Sequence, residues 1–251
     1  MPIMKSVHQY LLITTIILAA AARGADAGEK WQWSLTPYMW ASDISEDLLV
    51  DGEVVGGDDT EFKDLVDKID SSLQLHFEGL GDRWGLFADI SYVDLKDSEV
   101  GEMELVRFDV EIEETALEAG LIFRPGGRSG RFDLLFGARN MSVLEIYRLQ
   151  LGEIETREAR IDENYLDVLI GARWHIPLSD RWVISLRGDV STGGTDLTWT
   201  AQGLLGWRFG KKRNSALFLG YRYREAEYIK ADVIEVQKTL SGPGLGIRIG
   251  F

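Results

Sequence analysis

The unit Gly-x-Arg recurs five times in the second half of this chain: at 137–139, 171–173, 206–208, 220–222 and 246–248. Each copy lies in a stretch that alternates apolar and polar residues. Residues two apart on a strand share a face. Each Gly and Arg therefore point one way, while Ala138, Ala172, Trp207, Tyr221 and Ile247 point the other. One face is greasy and the other charged. A soluble sheet hides its greasy face in a core, whereas a membrane barrel turns that face to lipid and encloses a polar lumen.

The rest of the chain favours lipid. Lys5, an apolar run from Tyr10 to Ala22 and the small residues around Ala25-Asp26-Ala27 form the pattern of a secretory signal, cleaved near Ala27. That run is too short to span as a helix, and no later run reaches the roughly 18 apolar residues needed. Residues 28–251 are thus expected to cross a membrane as strands. Cysteine is absent, which excludes disulfides, thiolate metal sites, a Cys nucleophile and a lipidated N-terminal Cys. The net charge is −14; Lys5, Arg23 and Asp26 contribute +1, leaving −15 after the signal. So acidic a chain lacks the basic footprint of a nucleic-acid binder.

Strand patterns over 31–42, 71–80, 84–95, 106–123, 131–149, 158–176, 181–192, 195–209, 214–229 and 236–251 alternate short, turn-rich connections with longer acidic ones. This predicts an all-β fold: a closed, antiparallel, up-and-down transmembrane β-barrel of ten strands, with eight or twelve as the alternatives. Residues 43–70 carry eleven acids against Lys63 and Lys68, while the tight turns carry Arg124, Arg128, Arg131, Lys211, Lys212 and Arg213. One rim should be acidic and the other basic. Phe62, Leu65, Val66 and Ile69 recur at helical spacing behind Thr60, predicting a short N-capped helix in the first long connection. Trp84, Leu86, Ala88, Ile90, Tyr92, Leu134, Phe136, Ala138, Trp182, Ile184, Leu186, Trp199, Ala201, Leu205, Trp207 and Phe209 should face lipid. Trp31, Trp33, Trp84, Trp174, Trp182 and Trp207 lie near the turns, where an interfacial girdle belongs.

The chain ends Leu245-Gly-Ile-Arg-Ile-Gly-Phe251. This resembles the C-terminal signal strand of bacterial outer-membrane barrels, which implies that Phe251 is read by the barrel assembly machinery. Trp33-Ser-Leu-Thr-Pro-Tyr-Met-Trp40, Pro177-Leu-Ser-Asp-Arg-Trp182 and Ser241-Gly-Pro-Gly-Leu-Gly246 resemble a largely uncharacterised family of small outer-membrane β-barrel proteins. The resemblance covers nearly all of the chain after the signal. It implies location in the bacterial outer membrane among lipid and lipopolysaccharide, and supplies no catalytic motif.

The inward set predicted by alternation is Glu78, Asp89, Glu118, Asp133, Asp167 and Asp189 with Arg139, Arg173, Arg187, Arg208, Arg222, Arg224 and Arg248. Unpaired charge in a narrow lumen is expensive, so these groups should pair across strands, with Asp167, Asp189, Arg139 and Arg222 at the centre. Such a network either packs the barrel or lines a narrow channel. Arg187-Gly-Asp189 reads as a mid-strand ion pair and not as an exposed adhesion motif. Barrel enzymes such as the omptin proteases set a His beside Asp or Ser at the outer rim; His76 and His175 fall toward the inner end, so no catalytic residue is assigned. No His or Cys cluster marks a metal site and no cofactor is implied, although the carboxylates of 43–70 and 97–114 suit weak bridging by divalent cations. Gly56-Gly57 and Gly193-Gly194 are turn material. The expected role is a non-enzymatic channel or a structural or surface-interaction barrel. A rim enzyme and a soluble secreted β-protein are the rivals.

Overall fold

The computed structural model describes residues 31–50, 53–100, 106–151, 155–211, 213–230 and 234–251. The signal segment 1–27 lies outside them. Twelve strands form one sheet: β1 (Gln32–Trp40), β2 (Asp43–Val50), β3 (Glu53–Thr60), β4 (Ile69–Leu80), β5 (Trp84–Val100), β6 (Val106–Phe123), β7 (Phe132–Leu151), β8 (Glu155–Pro177), β9 (Trp182–Gly193), β10 (Leu197–Phe209), β11 (Ser215–Lys230) and β12 (Ile234–Gly250). β1 and β4 to β12 pair in sequence, and β12 returns to β1, closing an antiparallel barrel of ten strands. Closure leaves no free edge around the inner end, as a barrel in lipid requires. The last residue joins this seal, Phe251 N donating to Trp33 O at 2.9 Å.

The remaining two strands are a hairpin that the sequence reading missed. β2 continues the line of β1 beside the outer half of β12, from Asp43 opposite Ser241 to Leu49 opposite Glu235, and β3 folds back onto β2. The acids of these two strands, at 43, 46, 47, 53, 58 and 59, do not alternate with apolar residues, so the segment reads as an acidic loop. Helix α1 (Phe62–Leu65), followed by a 3-10 turn (Val66–Lys68), leads from β3 to β4. The expected Thr60 cap is absent: Thr60 ends β3, Glu61 stands at the N-cap without a side-chain bond, and Asp43 Oδ1 accepts Phe62 N at 2.7 Å instead.

Residues 96–100, 150–151 and 155–157, expected in connections, are also strand. β7 and β8 run 20 and 23 residues, about twice the ~9–11 that cross a bilayer. Their hairpin therefore stands well outside the membrane, whereas β9 and β10, at 12 and 13 residues, do not. The outer rim is a tall wall with a notch.

The exterior is apolar. Trp84, Trp174, Trp182 and Trp207 are exposed around the inner mouth, and Trp31, Trp33 and Phe77 stack at 5.4 and 5.5 Å. Near the outer end Trp199 stacks on Tyr223 at 4.8 Å. Leu86 lies on this outward side yet is only 6% exposed. The Trp33 ring covers Gly79 between them, so closely that a Cβ on Gly79 would sit 2.2 Å from it.

Candidate functional site

The inward residues sort into three levels. At the waist Glu118, from β6, gathers four guanidiniums from three other strands. Its Oε1 accepts Arg139 Nε at 3.1 Å and Arg224 Nη2 at 2.5 Å, with Arg222 Nη2 3.6 Å away; its Oε2 accepts Arg187 Nη2 at 2.7 Å. Asp189 accepts Arg139 Nη2 at 2.5 Å and Arg187 Nε at 2.8 Å. Arg139 also donates to Ser191 and Thr200, and is 0% exposed. Trp40 completes the layer from β1: its ring lies 4.7 Å beneath the Arg222 guanidinium and 5.9 Å from that of Arg224. Planar forks and a ring from β1, β6, β7, β9 and β11 pack here as one layer. Gly171 gives the room, since a Cβ there would meet Asp189 Cβ at 2.6 Å.

Asp167 stands directly opposite Arg139 in the β7–β8 ladder and is buried beside it, with no ion pair to a guanidinium among the described residues. Its carboxylate accepts Thr195 N at 2.9 Å, Thr195 Oγ1 at 2.6 Å and Ser191 Oγ at 2.9 Å, tying the β9–β10 tip to β8. Ser191 Oγ links this carboxylate to Arg139, donating to Asp167 at 2.9 Å and accepting from Arg139 at 2.9 Å. Tyr38, Trp40, Gln74, Ser191 and Thr200 are layer or near-layer residues that a search for charges overlooks. Alternation on their own strands was the signal that could have found them.

Below the waist, Arg173 pairs with Glu78 and Asp133, and Arg124 reaches Asp133 at 3.4 Å. His76 Nδ1 lies 3.0 Å from Asp89, which also accepts Tyr38 OH at 2.7 Å; His175 Nε2 lies 3.4 Å from Asp133. Both histidines are thus inward, near the inner end and held by carboxylates. Phe87, Ile122, Leu135 and Leu169 plug the β5–β8 side, so this half of the lumen is not uniformly polar as alternation suggested. A cavity of about 140 Å³ remains on the other side. Arg248 lines it, 5.5 Å over the Phe218 ring, with Nε buried and unbonded among the described residues. Arg208 shares that inward face, apart from the waist.

Above the waist lies a larger chamber of about 610 Å³. Ile44, Leu48, Val93, Leu95, Ile112 and Leu240 form its walls, and Phe62 and Leu65 of α1 project into it. Its charged groups are Glu46, Asp58, Glu114, Glu145, Lys238 and Arg224, with Tyr147, Gln74 and several hydroxyls beside them. Lys238 donates to Glu114 at 2.6 Å and Tyr147 to Glu145 at 3.0 Å. The strand period splits the acidic pairs of the sequence: Asp58 and Glu114 line the chamber, and Asp59 and Glu113 take the opposite face. Outside, Asp94, Glu111 and Glu113 converge within 4.8 Å, with Lys96 3.1 Å from Asp94 and 3.9 Å from Glu111.

A closed ring, an apolar belt and aromatic girdles at both ends define an integral β-barrel of the bacterial outer membrane. Within that class this is a ten-stranded barrel with a packed waist and a chamber on either side. No family model and no curated protein matches the chain. Similar solved structures include the translocator domain of the autotransporter NalP from Neisseria meningitidis, 14% identical over 98% of each chain, TM-score 0.46. The outer-membrane protease OmpT from Escherichia coli is 7% identical over 89% of this chain and 97% of that one, TM-score 0.44. The attachment invasion locus protein Ail of Yersinia pestis, solved with the heparin analogue sucrose octasulfate, is 10% identical over 88% and 99%, TM-score 0.37. At such identities and scores, no activity, ligand or residue role passes from them to this chain.

Proposed function

We propose that this protein is a non-enzymatic outer-membrane barrel that holds a small amphiphilic molecule in its outer chamber, with the Arg and carboxylate layer as a closed floor. The observation that carries this reading is the chamber itself. Its volume falls within the ~300–1,000 Å³ of ligand pockets, with apolar walls and a few convergent polar groups. Trp40 also lines it, and its Nε1 is a buried donor with no partner among the described residues. A resting channel is the weaker reading, because a solute would have to part buried ion pairs at the waist. The histidine positions support a barrel without an enzymatic site. Kinship with the uncharacterised small barrels, recognition of Phe251 during assembly, contact with lipopolysaccharide and weak divalent-cation bridging at the outer carboxylates belong to the same proposal.

The test uses a lysophosphatidylcholine with a diazirine in its chain, mixed into nanodiscs that hold the full barrel. Illumination should label inward residues such as Ile112, and Ile112→Trp, which narrows the chamber, should lower labelling of the other wall residues. Adducts on outward residues alone would refute the reading. In a planar bilayer the wild type should show no discrete conductance.

A further inference from the structure

The barrel wall is hydrogen-bonded all the way round only below a certain height. β1 and β4 pair from Gln32 opposite Leu80 up to Pro37 opposite Leu75, and no further. Above that point β12 pairs with β2 and β2 with β3, but among the described residues β3 has no pairing with β4. A seam therefore opens between the β2–β3 hairpin and β4. Gln74 bridges its base, its Oε1 accepting Trp40 N at 2.7 Å. The roof is α1 and the 3-10 turn, held by Asp43 at Phe62 N and by Lys68 against Asp97 at 2.6 Å.

The height of this seam gives it meaning. Leu73 pairs with Tyr92, on the outward side. Met39 lies six residues along β1 from Trp33 of the inner girdle. At ~3.3 Å per residue and ~40° of tilt that is about 15 Å up an apolar belt roughly 25 Å tall. The seam thus begins in the outer leaflet. Unpaired strand edges at that depth are otherwise excluded, because lipid satisfies no backbone group, unless they border a cavity. They border one here. Met39 is 57% exposed on the outside and also lines the outer chamber.

We infer that the seam is a lateral entry through which a single-chain amphiphile of the outer leaflet reaches the outer chamber. This rests on the chamber reading above and adds the ligand class and the route. The tail meets Ile44, Phe62, Leu65, Val93 and Ile112. Glu46, Asp58, Glu114 and Glu145 outnumber Lys238 and Arg224, which are already paired with Glu114 and Glu118. That balance disfavours an anionic head and selects a neutral or zwitterionic one.

The chain has no cysteine, so single sites can be labelled cleanly. Leu73→Cys places a thiol on the lipid side of the seam, and Leu219→Cys places one on the lipid face of β11; neither residue lines the chamber. Each folded variant is modified with a bulky maleimide in nanodiscs. The diazirine lysophosphatidylcholine is then added, and adducts on the chamber walls are counted by mass spectrometry against time. Modification at Leu73→Cys should slow chamber labelling at least tenfold while modification at Leu219→Cys leaves it at the wild-type rate. Equal rates for the two modified proteins, fast or slow, would overturn lateral entry and leave the chamber reading standing. An unlabelled chamber in wild type would overturn both.

Discussion

Replacing Glu118 by glutamine removes one charge at the atom pair on which four guanidiniums converge. The side chain is 1% exposed, and water cannot take its place without repacking the layer. Glutamine keeps the shape and one acceptor, but its amide NH2 faces donors where Oε2 now accepts Arg187 at 2.7 Å. Arg222 and Arg224 lose the only carboxylate either reaches within ion-pair distance among the described residues. Breaking a buried pair from one side costs about 3–5 kcal/mol. The same range is expected here, read as a fall in the urea midpoint at unchanged slope for barrels folded in lipid vesicles. The double variant Glu118→Gln with Arg139→Gln should cost less than the sum of its parts by about 0.5–3 kcal/mol, because the two share one network. A loss below 1 kcal/mol for Glu118→Gln would mean that solvent reaches the waist and that the floor is not closed.

Trp40→Ala removes the ring that lies between the two cavities, and discrete conductance should appear in a planar bilayer where wild type has none; a silent variant would place the seal elsewhere. Asp167→Ala leaves Thr195 and Ser191 without their acceptor and should cost about 1–3 kcal/mol for the buried groups left unpaired, measured by the same urea titration. It should also loosen the β9–β10 tip, and an unchanged hydrogen-exchange rate at Thr195 would count against the tie. Lys68, hydrogen-bonded to Asp97, holds that carboxyl below its usual range. A depressed carboxylate stabilises the latch above the ordinary pKa of about 3.9 and loses that contribution as pH falls through the lower folded value. A spin label at Val66→Cys should therefore keep its mobility from pH 7 to 5 and gain mobility only below about pH 4; a change between pH 7 and 5 would refute the latch.

The ring of ten strands was legible because lipid enforces strict alternation. Every Gly-x-Arg unit and every girdle Trp repeats the same two-sided demand, and one slipped register would put an arginine into lipid. That demand ends where the bilayer ends. Above it, Glu113 and Glu114 face opposite ways with water beside one of them, and the acidic residues 97–100 read as loop although they are strand. The hairpin of β2 and β3 vanished for the same reason. At the waist, counting charges found Glu118, Arg139, Arg187 and Arg222 but could not reveal that Glu118 is the common acceptor. Which carboxylate takes which guanidinium is fixed by strand tilt and barrel girth, and those are properties of the closed ring. Asp167 and Asp189 look alike in sequence, yet Thr195 folds back onto Asp167 and supplies its hydrogen bonds, while Asp189 takes guanidiniums.

The seam and the floor meet in one residue. Trp40 is the last residue of β1 before the chain leaves β4 and turns into β2; its backbone N–H is held by Gln74 and its ring carries Arg222. A conventional barrel would have continued β1 beside β4 and left no use for Gln74. The side chain stands in for a backbone carbonyl, which lets the wall part while the N–H stays bonded. Any widening of the seam pulls on that bond and, through the ring, on the guanidinium stacked upon it. Conversely, the packed waist fixes Trp40 and with it the height at which the seam begins. The entry and the closed floor are therefore not independent features of the lumen, and perturbations at Glu118 and Gln74 should be read against each other.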